Sequence, residues 1–177
     1  MFKVLVVAYY FPPMGLSGVQ RTLKFVKYMS KYNWEPTVIT VGQTGYFAHD
    51  ISLQKELDET GIRVVRVDGK GPNSRLAKYG TIKMPGEFLR KLFHRLSSTF
   101  YIPDNKRSWS KKAAQKAREM LKEEEFDAIF VTSPPFSAFY ELAKVAHDAG
   151  GVRIFRQYIQ IQRYHAGIRY FSSEQGL

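Results

Sequence analysis

Apolar and amphipathic stretches alternate from the first residues of this chain to about residue 150. The run Lys3–Ala8 is apolar after its first residue and breaks at Tyr9, beyond which Pro12, Pro13, Gly15 and Gly18 interrupt any regular pattern. Val19, Leu23, Val26 and Met29 then recur at three- and four-residue spacing, one face of a helix, before a second apolar run from Pro36 to Val41. Ser52 to Thr60 predicts a short helix stopped by Gly61, and Ile62–Val67 alternates apolar with basic residues as an edge strand does. A Gly- and Pro-containing stretch from Asp68 to Met84 predicts a loop, and Pro85 suits the first position of a helix over 86–97. Ser108 is placed to cap a long helix through Ala113, Ala117 and Leu121. Ala128–Thr132 is continuously apolar, the mark of a central strand, and the helix after Pro134-Pro135 ends at Gly150-Gly151.

Strands alternating with helices imply right-handed crossovers and a parallel sheet covered on both faces. The expected class is therefore α/β, with a Rossmann-like parallel sheet and helices on both faces. The 177 residues suffice for one well-buried domain. Ordinary apolar and charged fractions, 44% and 24%, set aside disordered and collagen-like classes. The charge balance is less ordinary: 27 Lys and Arg against 16 Asp and Glu give a formal +11, which favours anionic partners such as phosphorylated ligands, acidic lipid headgroups or nucleic acid. No RNA- or DNA-binding motif accompanies that charge. Without cysteine there is neither a disulfide framework nor a thiolate zinc site, and His49, His94, His147 and His165 lack ligand spacing, so no metal is expected. Lys3 and the following apolar run lead into Pro12-Pro13 without a small-residue cleavage site, which favours a buried strand over a signal peptide. No window reaches the ~20 apolar residues that span a bilayer. A cytoplasmic home, with peripheral contact at the inner membrane face, is the expectation.

Candidate chemistry centres on the turn after the first strand. A strand, a glycine-containing turn and a helix place backbone N–H groups where a phosphate can bind. Gly15-Leu16-Ser17-Gly18 nevertheless lacks the G-x-G-x-x-G of dinucleotide enzymes and the Gly-Lys-Ser/Thr of a P-loop, and the second strand ends in Val41-Gly42 without an acid. A tight turn and a phosphate site both account for such a glycine pair. In the segment Phe88–Leu96, Leu89, Leu92, Phe93 and Leu96 share one face and Arg90, Lys91 and Arg95 the other; it reads either as a helix packed on the sheet or as one lying at an anionic membrane surface. Glu123-Glu124-Glu125 reads as a solvated helix end and His147 as a surface residue, so no catalytic residue is assigned.

Phe11-Pro12-Pro13, Ser17-Gly18-Val19-Gln20-Arg21, Leu23–Tyr28 and Trp34–Val41, followed by Pro103-Asp104, Trp109 and Phe126–Ser137, together resemble the amino-terminal part of glycosyltransferase family 4 enzymes, in the same order. The resemblance implies one half of a GT-B architecture, in which one Rossmann-like domain holds the acceptor and a second holds the nucleotide sugar. It implies retaining sugar transfer with no cofactor or required metal beyond the nucleotide-sugar donor, and a glycan or lipid-linked acceptor. By that resemblance Gly15, Ser17 and Gly18 would approach the donor phosphates, while Gln20, Arg21, Ser133 and Pro134 would face the acceptor. Residues 1–150 form the glycosyltransferase-like domain in this reading. From residue 151 the sequence departs from the family, as a truncated or frame-shifted tail would, and the Glu-x7-Glu signature of the donor domain is absent. Activity is then expected to need a donor domain in cis or in trans. The alternative reading is a non-catalytic binding module for a phosphorylated or anionic ligand.

Overall fold

The computed structural model describes residues 1–15, 17–42, 48–68, 104, 106–150 and 152–158. Five strands, β1 (Phe2–Val7), β2 (Trp34–Val41), β3 (Arg63–Val67), β4 (Ala128–Ser133) and β5 (Arg153–Tyr158), form one sheet in the order β3-β2-β1-β4-β5. Every pairing is parallel. Four helices are described: α1 (Ser17–Met29), α2 (Ile51–Thr60), α3 (Arg107–Glu123) and α4 (Phe136–Asp148). The chain steps outward from β1 to β2 to β3, then returns across the sheet to β4 and β5. Right-handed crossovers therefore put α1 and α2 on one face and α3 and α4 on the other. The Rossmann-like α/β class expected from the sequence is the fold, and β5 carries the sheet to residue 158, beyond the domain limit of 150 expected from the sequence.

Burial follows strand position. Val4 to Val7 of β1, and Val38 and Ile39 of β2, are buried between the helical layers. β3 and β5 are edges, and Arg63, Arg66, Arg153 and Arg156 are tolerated there because one flank meets solvent. On α1, Val19, Thr22, Leu23 and Val26 face the sheet, as their spacing predicts. Lys24 and Lys27 on its outer side both reach Glu56 of α2, at 2.6 and 2.7 Å. Those two ammonium groups hold the Glu56 carboxyl below the usual carboxylate range.

Two helix starts differ from the sequence reading. Asp50 caps α2 by accepting the Ser52 N–H at 2.9 Å, and its pKa is lowered first by the Ser52 hydroxyl, which also donates to it, and then by that backbone N–H. At α3, Ser108 is not the cap: Asp104 accepts the Lys106 N–H at 2.9 Å and turns the chain one step earlier, so the helix begins at Arg107. The stop at Gly61 is as expected, since its φ of 65° is the left-handed geometry that glycine accepts without strain. The loop expected at 68–84, but for Asp68, and the helix expected at 86–97, with its basic amphipathic face, lie outside the described residues.

Candidate functional site

The turn after β1 is pinned toward the β2–β3 side of the sheet. The Gly15 N–H donates to the Ala48 carbonyl at 2.8 Å, the Asp50 N–H to the Pro13 carbonyl at 2.9 Å, and the Arg66 guanidinium to the Pro12 carbonyl at 2.9 Å. Burial lowers the Arg66 pKa, partly offset by the carboxylate of Asp58. The Gly15 amide is thus spent inside the fold and does not itself donate to a phosphate. A Cβ on Gly15 would meet only ordinary contacts, Ala48 O at 3.4 Å and the Asp50 Cβ at 3.5 Å, so the fold itself does not require glycine there. Ser17 and Gly18 open α1, where first-turn N–H groups have no intrahelical acceptor. Gly18 sits in helical geometry, and its carbonyl accepts the Thr22 hydroxyl at 3.1 Å. Gln20 and Arg21 are exposed, with Arg21 directed along the sheet face beside Phe25 and Phe130 rather than over the carboxyl edge.

A second set of groups gathers where the strand order reverses, between β1 and β4, the place at which open α/β sheets take ligands. Val7 lies beside Val131, so the following residues, Tyr9 and Ser133, emerge as neighbours at the carboxyl edge. The Trp109 ring meets Tyr9 edge-on with centroids 5.0 Å apart, and the Lys106 ammonium lies 5.0 Å from the same Tyr9 ring. Asp104 ties the two helix starts together. Besides the Lys106 N–H, it accepts the Ser137 N–H and the Ser137 hydroxyl, each at 2.8 Å, and Ser137 shares a 2.8 Å hydrogen bond with Ser110.

What this edge leaves unused is informative. The Trp109 indole N–H and the Ser133 hydroxyl are buried, yet neither has a hydrogen-bond partner among the described residues. Such groups cost about 1–3 kcal/mol when orphaned and are found where a ligand or water completes them. Lys106 has no carboxylate within ion-pair distance among the described residues; burial lowers its pKa and the Asp104 charge opposes the shift only partly. A cation, a donor and a hydroxyl therefore surround one aromatic ring at the switch point. That arrangement offers hydrogen-bonding and positively charged groups to a polyhydroxylated or anionic group.

Of the residues singled out from sequence, Ser133 belongs to this edge and Pro134 follows it, half-buried. Gln20 and Arg21 stand apart on α1. Lys106 and Tyr9 were not singled out, because a lysine before a helix and a tyrosine after a strand carry no motif. An apolar strand ending in a hydroxyl residue, opposite another strand ending in aromatics, was the signal available. Among the described residues no cluster of His, Asp and Glu could hold a metal ion, and no helix is long and apolar enough to cross a membrane.

Comparison with known proteins bears on the fold. No family model matches the chain, and no curated protein matches its sequence. Two crystal structures of the C-terminal domain of a hydrogenase from Pyrococcus furiosus are similar in shape. One has a TM-score of 0.53 at 17% identity over 88% of this chain and 91% of that one. The other has a TM-score of 0.50 at 17% identity over 88% and 89%. At that identity the likeness establishes a shared α/β fold for this chain and carries no activity across.

Proposed function

We propose that this chain is the acceptor-binding domain of a retaining, family 4-like glycosyltransferase of GT-B type, completed by a donor domain in cis or in trans. One observation carries the reading. Asp104, Trp109, Ser133 and Ser137, all within the segments that resemble the family, converge on the carboxyl edge at the switch point although they come from separate elements. Their geometry suits an acceptor glycan or lipid-linked glycan. The Ser133 hydroxyl and Trp109 N–H hydrogen-bond sugar hydroxyls, the buried Tyr9–Trp109 pair fixes the indole, and Asp104 keeps α3 and α4 in place around them. The nucleotide sugar supplies the transferred hexosyl group from the facing domain. This chain's part is to hold the attacking hydroxyl still, which turns an encounter of two molecules into an oriented step. Polysaccharide or glycolipid assembly at the cytoplasmic membrane face is the setting this reading implies.

Isothermal titration of the chain with a panel of mono- and oligosaccharides, and separately with UDP-glucose, tests the assignment. A saccharide is expected to bind and UDP-glucose alone to give no heat. Heat from UDP-glucose with none from any saccharide would overturn it in favour of a module for phosphorylated ligands, a reading that the unpaired ammonium of Lys106 would then explain.

A further inference from the structure

Among the described residues no helix lies over β5 on the side of α1, and β4 is covered there only in part, by Phe25 of α1, since both helices beside those strands lie on the other face. The result is a groove of about 560 Å³ alongside α1. Val4, Phe130 and Phe155 form its floor, and Phe25 and Tyr28 line its helix wall. Phe25 stacks on Phe130 with centroids 4.8 Å apart. Phe155 keeps 52% of its surface exposed, although a sheet face is where an aromatic residue ordinarily finds cover.

Charge is unevenly placed around this groove. Arg21 and Lys24 also line it, but Lys24 is committed to Glu56 at 2.6 Å, whereas Arg21 has no carboxylate partner among the described residues. Because α1 runs antiparallel to the strands, Arg21 marks the end nearest the carboxyl edge. Trp34, which opens β2, marks the far apolar end. The groove is thus an apolar channel with a guanidinium, free of carboxylates among the described residues, at the end nearer the start of α1.

We propose that this groove holds the hydrocarbon chain of an anionic amphiphile, its phosphate on Arg21 and its tail running toward Trp34. The inference rests on the acceptor-side reading for its purpose: it names the acceptor as lipid-linked, with the sugar end delivered toward Ser133 and Trp109. The volume falls in the range of ligand pockets, and a chain inserted along the groove would cover the floor that a flat bilayer cannot reach. A second copy of this chain is a poorer occupant, because the formal charge of +11 opposes self-association.

The chain contains two tryptophans, and they report separately, Trp34 in the groove and Trp109 at the carboxyl edge. Dodecyl phosphate below its micelle concentration, dodecyl maltoside as a neutral amphiphile and inorganic phosphate as a bare headgroup are titrated into 15N-labelled protein. Dodecyl phosphate is expected to shift the Trp34 indole resonance, to leave that of Trp109 in place, and to bind at least tenfold more tightly than dodecyl maltoside. Arg21→Gln should remove that preference, and Phe155→Glu should abolish binding of both amphiphiles with circular dichroism unchanged. Equal affinity for the two amphiphiles, indifference to Phe155→Glu, or self-association through the groove that Phe155→Glu disperses would each overturn the proposal. A saccharide that binds at Trp109 while no amphiphile binds at Trp34 would sink this inference alone and leave the acceptor-side reading standing.

Discussion

Ser133→Ala separates a group kept for the fold from one kept for a ligand. The Ser133 side chain is fully buried, and its hydroxyl has no partner among the described residues. An orphaned buried hydroxyl costs about 1–3 kcal/mol, and one that rotates freely sits toward the lower end of that range. Replacing it with a methyl group of similar size should stabilise the unliganded domain by about 1–2 kcal/mol. For a domain of this size that corresponds to a rise in Tm of roughly 2–8 °C, read by thermal unfolding followed by circular dichroism. The same variant should bind its ligand roughly 5–10-fold more weakly, the loss expected for one neutral hydrogen bond. A gain in stability coupled to a loss in affinity marks a functional position. A lower Tm would show that the hydroxyl is paired in the folded protein, and the argument for a ligand at that edge would fail.

Asp104→Ala removes the acceptor of three hydrogen bonds and uncaps α4, so it should destabilise by about 2–3 kcal/mol in urea titrations, with Asp104→Asn intermediate; an unchanged midpoint would refute the bridging role. Gly15→Ala should change stability by less than about 1 kcal/mol, because its contacts are ordinary and its φ is not positive, whereas Gly61→Ala should cost about 1–2 kcal/mol at a φ of 65°. Lys106 should titrate below the ordinary lysine value in NMR spectra of 13C-methylated protein, since burial disfavours its charge, and a bound anion should draw its pKa back upward. Glu56 is depressed in the folded state, so its contribution is present above the ordinary carboxylate range and disappears as pH falls through its lowered pKa. The stability gap between wild type and Glu56→Gln should therefore close on acidification.

The strands were legible because parallel, doubly covered strands must be apolar: Val4–Val7 and Ala128–Val131 announce themselves, and the mixed Arg63–Val67 announces an edge. Helix faces followed from spacing alone. The start of α3 was misread because a cap was sought beside the helix, at Ser108, while the carboxylate that organises it, Asp104, also serves α4 through Ser137, a contact between residues far apart in sequence. The site was only partly legible for the same reason. Ser133 could be chosen from its place at the end of a strand, but Lys106 and Tyr9 acquire meaning only when β1, β4 and α3 meet. At the glycine turn, where the Gly15 amide points is decided by the 48–50 segment, which no local pattern reveals.

The acceptor-side assignment is tested most directly at the indole N–H of Trp109, a buried donor without a partner among the described residues. In 15N–1H correlation spectra recorded during titration with acceptor saccharides, that resonance should move downfield and saturate while UDP-glucose leaves it in place. Movement with UDP-glucose alone, or no movement with any saccharide, would contradict the account.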